Sequence, residues 1–492
     1  QSANIHLLTN IATIAKPVES MNSRVLNYSV VQSAKWKPLL CNRFFSTVGK
    51  NTEIVGGAGN DRIVILGTGW AGFNLALNLK DSPSTEVRVV SPSNHFVFTP
   101  LLPSTAVGTL EFRCIQEPVR KVLGQNGKFV QAKAYSVDPE KKTLVCRSTH
   151  DKKEFAIKYD KLVISVGVKT NTFGIDTMTE GDGIYFLKHL FHARNIRNNI
   201  IDSFEKAAIP GTTSKERERL LSFVVVGGGP TSCEFVAELY DFVTNDVKKL
   251  FNDLVPFVKV TLVEAGPALL GPFDKQLQSY TLGLFGKRGV DVRLECSVTS
   301  VESYEEEGFR FPPRRAILSD GSKLPFGTLV WSAGLKPVKF TDSLDNVLPK
   351  AQNGRILIDD FLRVKGHEGS IWAMGDAALN EENPMPQVGQ VARQQGIYLA
   401  KVLNNEQKDD EKPFRFFNLG SMASLGEMKG IYDGSKIGVK GREINAPKSA
   451  GFLAFLLWRS AYIGRQTSIQ NKIMIPMHWL KSYLFGRDVS RF

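Results

Sequence analysis

From Asp61 onward, hydrophobic and polar positions alternate in blocks. RIVIL (62–66) is a short apolar run, WAGFNLALNLK carries apolar residues at helical spacing, and VRVVS is a second apolar run ending at Ser91. The succession returns at FVVVGGGPTSCEF (223–235). There an apolar run meets three glycines, a long helical stretch follows to Phe251, and the run VKVTLVE closes at Glu264. Short continuous apolar runs between helices predict strands buried on both faces, hence a parallel, doubly wound α/β sheet. Near the end, GFLAFLLW (451–458) is apolar, but Arg459 interrupts it well short of the ~18 residues that span a bilayer. Beyond it Ile469, Ile473, Met477, Leu480 and Leu484 recur at helical spacing, predicting an amphipathic helix.

The turns between strand and helix carry the first chemistry. Gly67, Gly69 and Gly72 make a complete G-x-G-x-x-G: one glycine for the tight bend, one for approach of a pyrophosphate, one for close helix–strand packing. Such turns also occur without a ligand, but here the full β–α–β context is present. The second unit has Gly227 and Gly229, with Pro230 opening the helix, and Ser232 where the third glycine belongs. A hydroxymethyl group there predicts a slightly wider helix–strand distance rather than a lost fold. Glu264 ends the second strand, where a carboxylate binds a ribose 2′-OH and repels a 2′-phosphate, so NADH is expected over NADPH. The first unit has a hydroxyl, Ser91, at that place. Two unlike sites on one chain suggest a resident FAD in the first and a passing nicotinamide nucleotide in the second.

Bulk properties limit the rest. A chain of 492 residues exceeds one core, and 42% hydrophobic with 23% charged residues is globular. The net charge of +13 admits nucleic acid, anionic lipid or anionic small molecules as partners. Much of the excess lies at the two ends. Met21 to Lys50 contains no Asp or Glu, and Arg24, Lys35, Lys37 and Arg43 are spread among Ser, Asn and apolar residues. That composition predicts a mitochondrial transit peptide, the alternative being a disordered basic tail. Glu19 precedes Met21, so translation is expected to start at Met21. Between Gly451 and Phe492, residues 459, 465, 472, 481, 487 and 491 are basic against one acid, Asp488. An apolar face with a basic rim predicts a helix lying in an anionic membrane surface, with a dimer or core contact as the alternative. Five cysteines (41, 114, 146, 233 and 296) show no C-x-x-C spacing, which argues against a redox disulfide or zinc site.

Further stretches give a resemblance. YDKLVISVGVKT, LVWSAGLKP and SIWAMGDAA occur in the order found in two-dinucleotide-fold flavoprotein oxidoreductases. SPSNHFVFTPLLPSTAVGTLEFR, GGGPTSCEF, QVGQVARQQG, WRSAY and FGRDVSRF resemble the type II (rotenone-insensitive) NADH:quinone oxidoreductases, in particular internal mitochondrial ones. The resemblance implies two Rossmann-like domains with the NADH domain inserted in the FAD domain, and C-terminal membrane-docking helices. The implied division is 1–60 presequence and tail, 61–215 and 339–412 FAD-binding, 216–338 NADH-binding, and 413–492 membrane docking. It implies transfer of two electrons from NADH through non-covalent FAD to ubiquinone without proton pumping, on a peripheral, matrix-facing homodimer at the inner membrane. No nucleic acid and no metal are expected; the absence of an EF-hand loop predicts no calcium control.

Implied site residues follow. Gly67, Gly69, Gly72, Ser91, Thr99, Pro100, Gly375 and Asp376 would hold FAD, with Asp376 on the ribityl chain. Gly227, Gly229, Pro230, Glu234, Glu264 and Gly334 would hold NADH, with Glu234 near the nicotinamide. Gln390 and Gln394, four apart and so on one helical face, would meet the quinone, since an amide both donates and accepts. The family usually has Gly at 232 and Ala at 389, where this chain has Ser232 and Gly389. A sulfide:quinone oxidoreductase and a flavin-bearing, NADH-binding signalling protein are the alternatives.

Overall fold

The computed structural model describes residues 54–55, 61–407, 412–435, 437–439, 442–444 and 447–491. The expected presequence and tail lie, but for residues 54–55, outside the described residues, as does Cys41.

The first sheet is built from β1 (Asp61–Leu66), β2 (Thr85–Ser91), β3 (Gly127–Asp138), β4 (Thr143–Ser148), β5 (Glu154–Lys158) and β6 (Lys161–Ile164). After β7 (Val168–Thr170) the chain enters a second sheet: β8 (Ile184–Phe186), β9 (Ser222–Val226), β10 (Lys259–Val263), β11 (Asp291–Arg293) and β12 (Thr328–Trp331). It then returns through β13 (Leu335–Pro337) to β14 (Ile371–Ala373), which pairs with β6 in the first sheet. The first sheet runs, edge to edge, Ile54–Val55, β5, β4, β3, β2, β1, β6, β14. The second runs β8, β12, β9, β10, β11, and all its pairs are parallel. In each, the strand before the glycine turn is interior, and Ile63–Leu66 and Phe223–Val226 are buried throughout. That is why these strands read as continuous apolar runs. One boundary differs from expectation. β8 lies within 61–215, assigned to the first domain, yet it pairs with β12 of the second sheet. A three-residue strand, IYF, gives the sequence too little pattern to say which sheet it joins.

Helices α1 (Trp70–Asn78) and α3 (Pro230–Phe242) follow the two glycine turns; α2 (Leu190–Ala208) lies between them, and α4 (Gly389–Leu403) packs along α1. The C-terminal part forms a small antiparallel sheet, β15 (Ser421–Ser424), β16 (Gly430–Asp433) and β17 (Ser449–Gly451), and then helices α5 (Phe452–Gly464) and α6 (Ile469–Phe485). Ile469, Ile473, Met477, Leu480 and Leu484 are all exposed, while Ile475 and Trp479 of the same helix face inward. The face predicted from spacing is therefore one face of α6, and it is not core. α5 likewise exposes Phe452, Leu453, Leu456 and Leu457. No helix among the described residues is long and apolar enough to cross a membrane.

The basic rim is smaller than the count of charges suggests. Arg487 bonds Asp246 at 2.8 Å and Glu238 at 3.2 Å, its side chain only 10% exposed. Arg459 lies 4.4 Å from the ring centroids of both Phe455 and Trp479. Both arginines stabilise the interior junction instead of facing outward. Lys472, Lys481 and Arg491 remain exposed.

Candidate functional site: a cavity at the first glycine turn

At the end of β1, Gly67 has φ +99 and a Cβ there would collide with the Ser165 carbonyl. Gly72 sits one turn into α1, where a Cβ would collide with the Gly67 carbonyl and lie 2.5 Å from Ser165 Oγ. Only glycine fits either place. Gly69 caps α1 without a side-chain hydrogen bond, so the first-turn N–H groups of the helix are free for an anion. They border a cavity of about 890 Å³.

That cavity collects residues from distant parts of the chain. Gly67, Gly69, Ser91 and Thr99 line it, and so does Asp376. Thr231, Ser332 and Gly334 reach it from the second sheet, and Gln387 and Gly389 from the start of α4. Ser91 Oγ pairs with Thr68 Oγ1 at 3.0 Å, and Thr99 Oγ1 accepts from the Trp70 indole at 3.0 Å. Gly389 faces that indole, where a Cβ would sit 3.1 Å from its ring atoms. Lys188 and His189, at the entry to α2, also line the cavity and had no signal in the sequence. Burial lowers the Lys188 ammonium and raises the Asp376 carboxyl, and each charge pulls the other back; Arg355 also lowers Asp376. Burial, with the Lys188 charge second, holds His189 down to about 4, so it is neutral at physiological pH. Gly72 and Pro100 lie outside the lining residues, and Gly375 lines a small neighbouring cavity, its N–H bonded to Gln395 Oε1 at 2.7 Å.

A flavin dinucleotide fits this set. The uncapped helix start and Lys188 offer positive charge for a pyrophosphate, Asp376 offers an acceptor for hydroxyls, and the cavity runs from the first turn to Thr231, whereas Gly227, Gly229, Pro230 and Glu264 do not line it. Among the described residues no cysteine lines it; Cys114, Cys146, Cys233 and Cys296 are free and buried. Burial pushes the Cys114 thiol up to about 11 and Cys146 up to about 12, far from thiolate reactivity.

The second turn repeats the plan with one change. Gly227 has φ +109, and Gly229 caps α3 with no side-chain bond, Pro230 following. Glu264 accepts the N–H of Gly228 on Oε2 and that of Gly266, at 2.6 Å, on Oε1. Its carboxylate thus braces the glycine turn, with lone pairs left for a ribose hydroxyl. Ser232 is buried, and its hydroxyl meets Ser332 Oγ at 2.6 Å. The extra group bridges α3 to the end of β12 and does not merely widen the gap.

Glu234, Gln390 and Gln394 converge on one segment, residues 417–424. Gln394 donates to the Phe417 carbonyl (2.8 Å) and accepts its N–H (2.9 Å). Gln390 donates to the Gly420 carbonyl (2.8 Å) and accepts the Leu419 N–H (3.1 Å). Glu234 Oε1 accepts the Ser424 N–H and the Trp458 indole, each at 3.0 Å. Two helices from different sheets thus grip one extended stretch. Burial pushes the Glu234 carboxyl up to about 8, against those two hydrogen bonds and with help from Glu238. None of the three lines the large cavity. Thr231 and Gly389, on the same two helices, do line it; the resemblance set Glu234 near the nicotinamide and the two glutamines at the quinone.

Comparison with known proteins defines first the class. Residues 61–396 match the pyridine nucleotide-disulphide oxidoreductase family model, and residues 418–488 match the NDH2 C-terminal domain. A probable NADH dehydrogenase of Dictyostelium discoideum is 42% identical over 88% of this chain and 92% of that protein. The internal alternative NAD(P)H-ubiquinone oxidoreductase A1 of Solanum tuberosum is 36% identical over 98% of this chain and 99% of that protein. The solved structure of NDH2 from Plasmodium falciparum in complex with NADH is 25% identical, with TM-score 0.78, covering 88% of this chain and 100% of that one. The chain belongs to the NDH2 family, the type II NADH dehydrogenases.

Proposed function

We propose that this protein oxidises NADH and reduces ubiquinone at the mitochondrial inner membrane, with FAD held non-covalently in the 890 Å³ cavity. One observation carries the reading: the first glycine turn, Thr231 at the start of the second unit's helix, Gly334 and the start of the glutamine-bearing helix all line a single cavity. When bound, FAD supplies the chemistry that joins a two-electron donor to a quinone. The chain's own residues bind, orient and hold protons around it. Gly67, Gly69 and Lys188 bind the diphosphate; Asp376 takes the ribityl hydroxyls, with Ser91 and Thr99 along the same ligand. Gly227, Gly229, Pro230, Glu264 and Gly334 receive NADH. Gln390 and Gln394 fix the segment 417–420 as a wall of the quinone pocket, each keeping one N–H for a quinone oxygen. Glu234 is protonated at neutral pH, and the proton resides on Oε2 because Oε1 accepts two N–H groups. It is a proton source for the reduced quinone. The described cysteines, 114, 146, 233 and 296, all lie away from the cavity lining, which argues against the sulfide-oxidising alternative.

The exposed faces of α5 and α6 are proposed to dock the enzyme on lipid, and a homodimer is expected to share part of that surface. The name of the potato relative supports the matrix side. The purified protein should oxidise NADH with short-chain ubiquinone, prefer NADH to NADPH, and ignore sulfide; sulfide-driven quinone reduction would overturn the reading. Removal of residues 451–492 would also strip Trp458 from Glu234 and Arg487 from its acids, so docking is tested by point changes. Ile473→Asp with Leu480→Asp should release the protein from anionic liposomes while ferricyanide reduction continues. A variant that still sediments with liposomes would assign the face to the dimer.

A further inference from the structure

Between the two sheets the chain crosses twice, and β7 and β13 pair antiparallel at the crossing, Thr170 opposite Leu335. The turn after β7 is bolted to the turn before β13. Asn171 N–H donates to the Gly334 carbonyl at 3.2 Å, the Trp331 indole donates to the Asn171 carbonyl at 3.0 Å, and Asn171 Oδ1 accepts the Phe173 N–H at 3.0 Å. This scaffold presents Phe173. The ring is 65% exposed, and the residue sits at φ +51, a conformation that costs a bulky L residue energy. Its rim lies on Gly334: a Cβ built there would be 2.5 Å from Phe173 Cζ. Gly334, with Thr170 and Ser332, lines the cavity onto which the first glycine turn and Thr231 of α3 open.

Phe173 also pairs with Trp331, the ring centroids 6.4 Å apart, but that contact leaves most of Phe173 exposed. A strained backbone that holds an aromatic ring outward at the rim of a nucleotide cleft has an evident use for the nucleotide. We propose that Phe173 is a binding residue for the nicotinamide nucleotide, its ring packing against the nicotinamide riboside as it passes between the start of α3 and Gly334. The inference rests on the reading of the second turn as an NADH site. It also gives Gly334 a role, since any side chain there would displace the ring.

The test uses the holoenzyme and measures NAD⁺ affinity, NADH KM and melting temperature for F173A, F173G and F173W. Loss of one aromatic packing partner should raise the NAD⁺ Kd and the NADH KM together, roughly three- to tenfold, in F173A. F173W should restore both. F173G should bind NAD⁺ as weakly as F173A yet melt no lower than the unaltered protein, because glycine accepts φ +51 without strain. The affinity for a ubiquinone headgroup analogue should not follow the NAD⁺ affinity. An unaltered NAD⁺ Kd in F173A overturns the proposal, and so does a lowered melting temperature in both F173A and F173G, which would make Phe173 a structural cover. Failure of the unaltered holoenzyme to bind NAD⁺ would remove the NADH reading itself.

Discussion

The two glycine turns are nearly the same object with different solutions to one contact. In each, a serine from a neighbouring strand reaches the carbonyl that ends the first strand: Ser165 Oγ donates to Leu66 at 2.7 Å, and Ser332 Oγ to Val226 at 3.3 Å. In the first turn that serine presses on Gly72 and leaves no room for a Cβ. In the second the gap is wide enough for Ser232, whose hydroxyl then bonds Ser332. The third glycine of the fingerprint is therefore a statement about one local distance, not about nucleotide binding. In the proposed function the permanent cofactor is assigned to the tighter turn and the transient one to the other.

The largest expected effect comes from moving the second solution into the first turn. Gly72→Ser drives a Cβ into the Gly67 carbonyl, which cannot rotate away, so a loss of at least ~3 kcal/mol of stability and most bound flavin is expected. Flavin absorbance per protein and a thermal melt read both. Adding Ser165→Ala removes the hydroxyl contact but leaves the carbonyl, so rescue by that second change would refute the geometric account.

An intermediate effect concerns Glu234, which couples the second unit to the C-terminal sheet. Its carboxyl is raised from the usual range near 4.5 to about 8, chiefly by burial. The folded state thus holds a proton that the unfolded chain releases. The associated stability is fully present below the unfolded pKa and is lost as pH rises toward about 8. Glu234→Gln abolishes that slope. Relative to the variant, the unaltered protein should lose on the order of a few kcal/mol between acidic and mildly alkaline pH, read by denaturant melts across that range. Parallel curves would mean the carboxyl is ionised in the fold.

The smallest effect is the reverse of the first. Ser232→Gly deletes one hydroxyl of a pair whose other member keeps its bond to Val226, so stability should fall by about 1 kcal/mol or less. NADH KM should stay close to its original value. A large rise in KM would show that the hydroxyl pair shapes the nucleotide site itself.

Much of the site was legible because it consists of short-range patterns. The glycines, Glu264 and the G-D pair at 375–376 are read from fixed offsets after apolar strands, and the exposed face of α6 from its period. Lys188 and Phe173 were not legible, since neither belongs to a period or motif. Glu234, Gln390 and Gln394 were singled out one by one, but that all three hold residues 417–424 depends on contacts across as many as 190 positions. The basic tail misled for a related reason. A count of charges cannot separate Lys481, which is exposed, from Arg487, which is neutralised by Asp246 and Glu238.

By itself the sequence determined two βαβ units, the order of their turns, an α/β fold and an amphipathic end, because strand burial, glycine dihedral freedom and helical period act within a few residues. The tertiary structure alone decided that the first turn, the start of α3 and the start of α4 meet at one cavity, that β8 joins the second sheet and that Ser232 is bonded. It alone decided which arginines are buried. Those outcomes rest on distances of a few ångströms between elements far apart in the chain, and no local pattern encodes them.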